Sequence, residues 1–311
     1  MNMKEKIVIL SGSFSEEAAI SRITGREIDA ALRKAGYHTL LLDPADFSNY
    51  SALLDRIRQF EPLIVFNGLH GKDGEDGKIQ ALLELEKIPY TGSDSRASAL
   101  AMDKEISGLV ALAVGLKLPA RIVVQTEAEI QTELILRKIG LPLVVKPNDS
   151  GSSVGISIVD EVTQILPAFR EAIKHSRKVI LEKFVAGREL TVTILDGKAL
   201  PVVEIKPRNG WYDYTNKYTK GNTVYEAPAQ LLLQEVHTIQ KMAETIFSHL
   251  GCSVYSRVDF RYDGENFFFL EVNTLPGMTP LSLTPMAAKS AGIGFEELLT
   301  RIIQASLRNF S

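Results

Sequence analysis

Residues 254–279 read VYSRVDFRYDGENFFFLEVNTLPGMT, two apolar alternating runs around a turn that contains Asp263-Gly264. An Asp-Gly pair between such runs is a strong hairpin signal. A turn centred near residues 263 to 266 sets Asp259 roughly opposite Glu271, and Arg257 roughly opposite Asn273. Side chains along a strand alternate faces, so Arg257, Asp259, Glu271 and Asn273 share one face. Two carboxylates opposed across a ladder repel each other. A hard cation between them removes the repulsion. Magnesium takes oxygen ligands and completes its shell with nucleotide phosphates, which suits Asp259, Glu271 and Asn273. The rival reading is a solvated sheet face on which Arg257 neutralises the acids. The segment after Asn273 favours the metal. Thr274-Leu275-Pro276-Gly277-Met278-Thr279 is a rigid, glycine-bearing loop that can aim backbone N–H groups at a developing anion.

Upstream, Asp196-Gly197 joins runs at 189–195 and 199–205 in a second hairpin, so antiparallel pairs dominate this end of the chain. Residues 231–250 have the spacing of a packing helix whose Met and Leu stripe is core. Residues 207–227 form a polar, aromatic loop. A loop of about 20 residues in a compact domain is usually functional or disordered.

The centre of the chain, 103–184, reads as a helix ending near Gly115, strands at 121–124, 143–146, 156–159 and 179–184, and helices near 127–138 and 161–174. Two of the strands are joined by Lys146-Pro147-Asn148-Asp149-Ser150-Gly151-Ser152-Ser153-Val154-Gly155. Small residues let a backbone approach phosphate closely, and successive N–H groups make an anion nest. Lys146 adds a fixed positive charge. The loop lacks the G-x-x-x-x-G-K-[ST] pattern and no helix comes directly after it, which disfavours a kinase or P-loop NTPase.

The first hundred residues alternate strands at 6–10, 39–42 and 63–66 with helices at 16–35 and 51–60. Ser15 is the expected N-cap of the first helix and Gly36 its stop. This order implies a parallel sheet with right-handed crossovers. Ligands bind beyond the carboxyl ends of such strands, where the segments 11–15 and 67–77 emerge.

Composition excludes several classes. A chain of 311 residues exceeds one ordinary core and implies two or three subdomains. Its net charge of −3 gives no reason to expect nucleic acid or an anionic membrane as partner. The single cysteine, Cys252, excludes an intrachain disulfide, fits a reducing compartment and reads as a small core residue. No apolar run is long enough to span a bilayer or serve as a signal, so a cytoplasmic protein is expected. A homodimer is the expectation from base rates.

Taken together, five segments resemble the D-alanine–D-alanine ligases of the ATP-grasp superfamily. They are His70-Gly71-Lys72-Asp73-Gly74-Glu75-Asp76-Gly77, the loop from Lys146 to Gly155, Glu182-Lys183-Phe184-Val185-Ala186-Gly187-Arg188-Glu189, Tyr212-Asp213-Tyr214-Thr215-Asn216-Lys217-Tyr218, and Glu271 through Thr279. The resemblance implies a mixed α/β and α+β fold: an N-terminal parallel-sheet domain, 1–102, and two subdomains, 103–184 and 185–311, that sandwich ATP, with 207–227 as a mobile loop.

By the same resemblance, Lys104 and Lys146 neutralise phosphates and Lys217 reaches the γ-phosphate. Glu182, Lys183 and Val185 line the adenine pocket, and Glu189 meets the ribose. Asp259, Glu271 and Asn273 hold two magnesium ions, for which manganese can substitute. The implied reaction joins two D-alanines through an acyl phosphate, for peptidoglycan precursor synthesis. Glu17 takes the ammonium of the first D-alanine, with His70 near the same subsite. Ser152 and Tyr218 hydrogen-bond with Glu17 and close the site against water. Arg257 and the N–H of Gly277 stabilise the oxyanion. Ser282 and Leu283 open a helix whose first N–H groups suit the second substrate's carboxylate.

The chain departs from the family in the first loop. Ser13 stands where the family carries a second glycine, and Ala18-Ala19 replaces a charged pair. Glu17 aligns by its spacing to Ser15 and Ser21, with Glu16 as its rival, and an altered substrate preference or weaker first-substrate binding is the expectation. The competing functions are a relative that uses D-lactate as second substrate, against which Tyr218 argues, another ATP-grasp carboxylate-amine ligase, and a non-catalytic nucleotide-binding regulator.

Overall fold

The structure, a computed structural model, describes residues 5–208, 210–212, 216, 219 and 221–310. Three sheets organise it. The first contains β1 (Lys6–Leu10), β2 (His38–Leu42) and β3 (Ile64–Asn67), parallel in the order β2-β1-β3. Between them run α1 (Ala18–Lys34) and α2 (Tyr50–Phe60). Ile7 to Leu10 are fully buried, as expected for a strand covered on both faces. Three helices come next: α3 (Lys78–Leu85), α4 (Ser95–Met102) and α5 (Lys104–Ala113).

The second sheet holds β4 (Arg121–Val124), β5 (Leu143–Pro147), β6 (Ser157–Val159) and β7 (Val179–Lys183), antiparallel in the order β4-β7-β5-β6, with α6 (Thr132–Lys138) and α7 (Ile165–Ala172). The third holds β8 (Arg188–Leu195), β9 (Lys198–Ala199), β10 (Val203–Pro207), β11 (Thr223–Glu226), β12 (Tyr255–Tyr262) and β13 (Phe267–Asn273). Its path is β11-β10-β8-β12-β13, with β9 beside β8. The helix α8 (Leu233–His249) covers one face of it.

The last helices, α9 (Leu283–Ser290) and α10 (Phe295–Leu307), turn back to the start of the chain. Leu298 and Ile302 of α10 share one core with Ile7, Ile9 and Phe66 of the first sheet and with Val203 and Ile205 of the third. No helix among the described residues is long and apolar enough to cross a membrane.

Four local expectations need correction. The first helix begins at Ala18 rather than residue 16, and Ser15 is not its cap. The Ser15 hydroxyl instead donates to the carbonyl of His70 at 2.7 Å, tying the first loop to the 67–77 loop. The helix expected over 127–138 breaks into a 3₁₀ turn and α6, because the Glu129 carboxylate accepts from Gln125 N–H and the Thr126 hydroxyl. The helix expected over 161–174 is α-helical only from Ile165, since Pro167 is tolerated in a first turn and not in an interior. The strand expected over 199–205 is interrupted at Pro201, which cannot donate to the ladder. The Asp196-Gly197 turn itself has positive φ at both residues, 51° and 74°, as a two-residue hairpin requires.

Candidate active site

The β12–β13 hairpin pairs Arg257 with Asn273 and Asp259 with Glu271. Regular counting from the turn would not give this register, because Phe260 pairs with Phe269. A bulge at Leu270 supplies the extra residue. It also leaves Leu270 and Glu271, consecutive in sequence, lining the same pocket.

On this face Asp259 is buried, 8% exposed, while Arg257, Glu271 and Asn273 are partly buried. Arg257 forks onto it, with Nε 2.9 Å from Oδ1 and Nη2 2.8 Å from Oδ2. Thr191, opposite on β8, donates to Oδ1 at 2.5 Å. Burial works to lower the Arg257 pKa, and the Asp259 and Glu271 carboxylates outweigh that and hold it above the usual guanidinium value. Lys104 Nζ lies 3.1 Å from Glu271 Oε2 and donates to the Ser150 carbonyl at 2.7 Å. Each carboxylate therefore already faces a cation of the chain, Arg257 for Asp259 and Lys104 for Glu271, which is the neutralisation that the rival reading assigns to Arg257. No cluster of three or more His, Cys, Asp or Glu side chains stands ready for a metal among the described residues. The donors that fit one are the oxygens of Asp259, Glu271 and Asn273, a hard set that leaves room for phosphate oxygens. The Asn273 side-chain oxygen accepts from Leu275 N–H at 3.0 Å.

A pocket of about 130 Å³ lies between the second and third sheets, lined by Lys104, Lys146, Glu182, Lys183, Val185, Glu189, Asp259 and Glu271. Lys146 and Glu182 form a buried pair at 2.5 Å. Sequence reasoning missed three features here. Ile156, Ile158 and Leu270 give the pocket apolar walls that can take a flat ring. Trp211 and Tyr212 close it from the 207–227 segment. Arg261 pairs with Glu189 at 3.3 Å and donates to the Val185 and Gly187 carbonyls. The same alternation that selects 257 and 259 points to 261.

A larger cavity of about 440 Å³ adjoins it. Glu17, His70, Ser152, Arg257, Asn273, Gly277, Ser282 and Leu283 line it, and Lys104, Tyr212 and Glu271 line both spaces. The Ser152 hydroxyl donates to Glu17. Ser152 and Ser153 adopt positive φ, 48° and 60°, which curls the loop around its own backbone. The Ser153 hydroxyl donates to the Tyr212 carbonyl at 3.1 Å.

His70 is buried, with Nε2 2.9 Å from the Thr24 hydroxyl and Nδ1 3.5 Å from Glu75. Glu75 is a buried carboxylate that also lines the cavity. Sequence reasoning gives it no role, although it lies within the 70–77 segment. Ser282 stands at the N-terminus of α9, and its oxygen accepts from Thr279 N–H at 3.1 Å. Glu16 turns away to His175. Lys217 and Tyr218 lie outside the described residues.

Comparison with known proteins covers nearly the whole chain. Residues 111–304 match the family model described as D-ala D-ala ligase C-terminus, and residues 43–93 match D-ala D-ala ligase N-terminus. The D-alanine–D-alanine ligase of Syntrophotalea carbinolica is 40% identical over 98% of this chain and 97% of its own length. That of Rhodospirillum rubrum is 40% identical over 98% and 99%. Among solved structures, the D-alanine–D-alanine ligase of Bacillus anthracis superposes with a TM-score of 0.88 at 34% identity, covering 98% of both chains. The VanG D-Ala:D-Ser ligase of Enterococcus faecalis gives 0.82 at 28%, covering 98% of this chain and all of that one.

Proposed function

The chain belongs to the D-alanine–D-alanine ligase family, and we propose that its two adjoining spaces divide the work of that reaction between nucleotide and amino acids. The protein is an ATP-dependent ligase that forms D-alanyl-D-alanine for cell-wall synthesis. The smaller pocket takes the nucleotide and the larger cavity takes the two amino acids. One observation carries this division: Lys104, Tyr212 and Glu271 line both spaces, so the phosphate end of one opens on the other.

In this reading the carboxylate of the first D-alanine attacks the γ-phosphate, giving D-alanyl phosphate and ADP. Lys104 and Lys146 neutralise phosphate charge, and the 148–155 loop holds the transferring group in line. Lys217 reaches the γ-phosphate from the 207–227 segment. Glu182, Lys183 and Val185 face adenine, and Glu189 the ribose. Asp259, Glu271 and Asn273 would hold the magnesium or manganese ions, which draw charge off the phosphates when bound. Glu17 takes the first ammonium beside His70, and Ser152 with Tyr218 closes that end against water. The amine of the second D-alanine then attacks the activated carbonyl, with its carboxylate at Ser282 and Leu283. Arg257 and Gly277 N–H stabilise the oxyanion until phosphate leaves. The division into 1–102, 103–184 and 185–311, a cytoplasmic location and a homodimer belong to the same proposal.

The test is ADP formation with magnesium and D-alanine, L-alanine, or D-alanine plus D-lactate or D-serine, with product analysis. D-Alanine-dependent ADP and dipeptide are expected. No D-alanine-dependent ADP formation overturns the reading, and a depsipeptide product reassigns the second subsite.

A further inference from the structure

We propose that His175 is a positioning residue for the first-substrate subsite, clamping the first loop and the 148–155 loop together from behind the cavity. The inference rests on the ligase reading. His175 lies in the turn between α7 and β7. Its Nδ1 is 3.1 Å from Glu16 Oε1, and its Nε2 is 3.6 Å from Glu171 Oε1. Its carbonyl accepts a hydrogen bond of 2.7 Å from Lys72 Nζ. Glu16 and Lys72 come from the two loops that leave the carboxyl ends of β1 and β3, so both loops of the first sheet dock on one turn of the second.

Each docking residue stands next to a residue of the subsite. Glu16 precedes Glu17. Lys72 comes after Gly71, where an added Cβ would press on the Glu17 carboxylate. On its other side the His175 ring backs Gly155, the last residue of the 148–155 loop, where an added Cβ would run into His175 Cδ2 and Pro147 Cγ. The loop is thus held at two points. Ser152 is tied to Glu17 on the cavity side, and Gly155 rests on the ring held by Glu16. Adjacent glutamates thus hold one loop at its middle and at its end, which fixes both the Glu17 carboxylate and the loop's N–H groups before substrate arrives.

The Glu16 side chain is 60% exposed and that of His175 19%, so the contact is screened and its effect modest. The test uses the full chain with Glu16→Gln, His175→Ala, the double variant, His175→Arg and Lys72→Met. First-site D-alanine KM, ATP KM, kcat and melting temperature are measured. Either single variant should raise the first-site D-alanine KM about fivefold, with kcat and ATP KM within about twofold. Lys72→Met should shift that KM in the same direction. The double variant should be no worse than the worse single, and His175→Arg should restore most of the loss. The melting temperature should stay within about 1 °C. Unchanged KM in both singles overturns the inference. So does a uniform fall in all parameters with the melting temperature, which marks a merely structural contact. A wild-type chain without D-alanine-dependent ADP formation defeats the ligase reading instead, a distinct outcome.

Discussion

At the scale of single residues, the tightest constraint is the fork of Arg257 on Asp259. Its two N–H···O distances, 2.9 and 2.8 Å, need a planar guanidinium, which an ammonium cannot reproduce. Arg257→Lys should therefore keep the fold and nucleotide binding but lower turnover about 100-fold, the usual loss for one oxyanion donor. Steady-state kinetics beside nucleotide binding checks this, and near-normal kcat removes Arg257 from the chemistry. Ser13 carries the opposite signature. It is 3% exposed, has φ 76°, and its hydroxyl has no hydrogen-bond partner among the described residues. Glycine relieves both faults at some cost in unfolded-chain entropy. Ser13→Gly should stabilise the chain by about 1 kcal/mol, seen as a melting temperature about 2 °C higher. Asp43 anchors the same loop. Burial works to raise its pKa, and the amides of Ser13 and Ala45 with Arg22 outweigh that and lower it. Its contribution is thus complete above the unfolded carboxyl value of about 3.9 and is lost as pH falls through the lower folded value. Asp43→Asn should flatten the acid limb of stability against pH in thermal melts, and an unchanged limb counts against this.

At the scale of elements, the hairpins were legible because turn chemistry and alternation are local. Asp-Gly fixed both turns, and counting from them brought Asp259 near Glu271. The bulge at Leu270 was not legible, because it answers to the neighbouring strand and the pocket rather than to any residue's propensity. The start of α1 was misjudged for a related reason. Ser15 has the chemistry of a cap, but His70 uses its hydroxyl across 55 residues of sequence. The choice between Glu16 and Glu17 also depended on distant partners, His175 for one and Ser152 for the other. Gly151 shows how tightly the loop fits: an added Cβ would meet the Glu17 carboxylate. Gly151→Ala should push that carboxylate aside and raise the first-site D-alanine KM about tenfold or more, leaving nucleotide binding intact. Titration of both ligands separates these effects, and an unchanged KM would mean the loop stands further from Glu17.

At the scale of the whole molecule, composition announced several cores but not how the ends of the chain meet. α10 completes the core of the first sheet, and its apolar residues face Ile7, Ile9 and Phe66. Each of Leu298, Leu299, Ile302 and Ile303 is buried and contributes about 1.5 to 3 kcal/mol. A chain ending before residue 295 should lose cooperative unfolding of the first sheet in a thermal melt, since that sum approaches the whole stability of a domain. The same closure sets the loops of the first sheet against the 148–155 loop and the β12–β13 hairpin, and three sheets thereby share one cavity.

In the proposed division of work, this cavity and the pocket that shares its lining act together on one acyl phosphate. The most direct test of that joint action traces the carboxylate oxygens of D-alanine labelled with ¹⁸O. Attack of that carboxylate on the γ-phosphate, then displacement at carbon, must leave one labelled oxygen in each phosphate released. One ¹⁸O per phosphate, formed in step with D-alanyl-D-alanine, is the predicted result; phosphate free of label would contradict it.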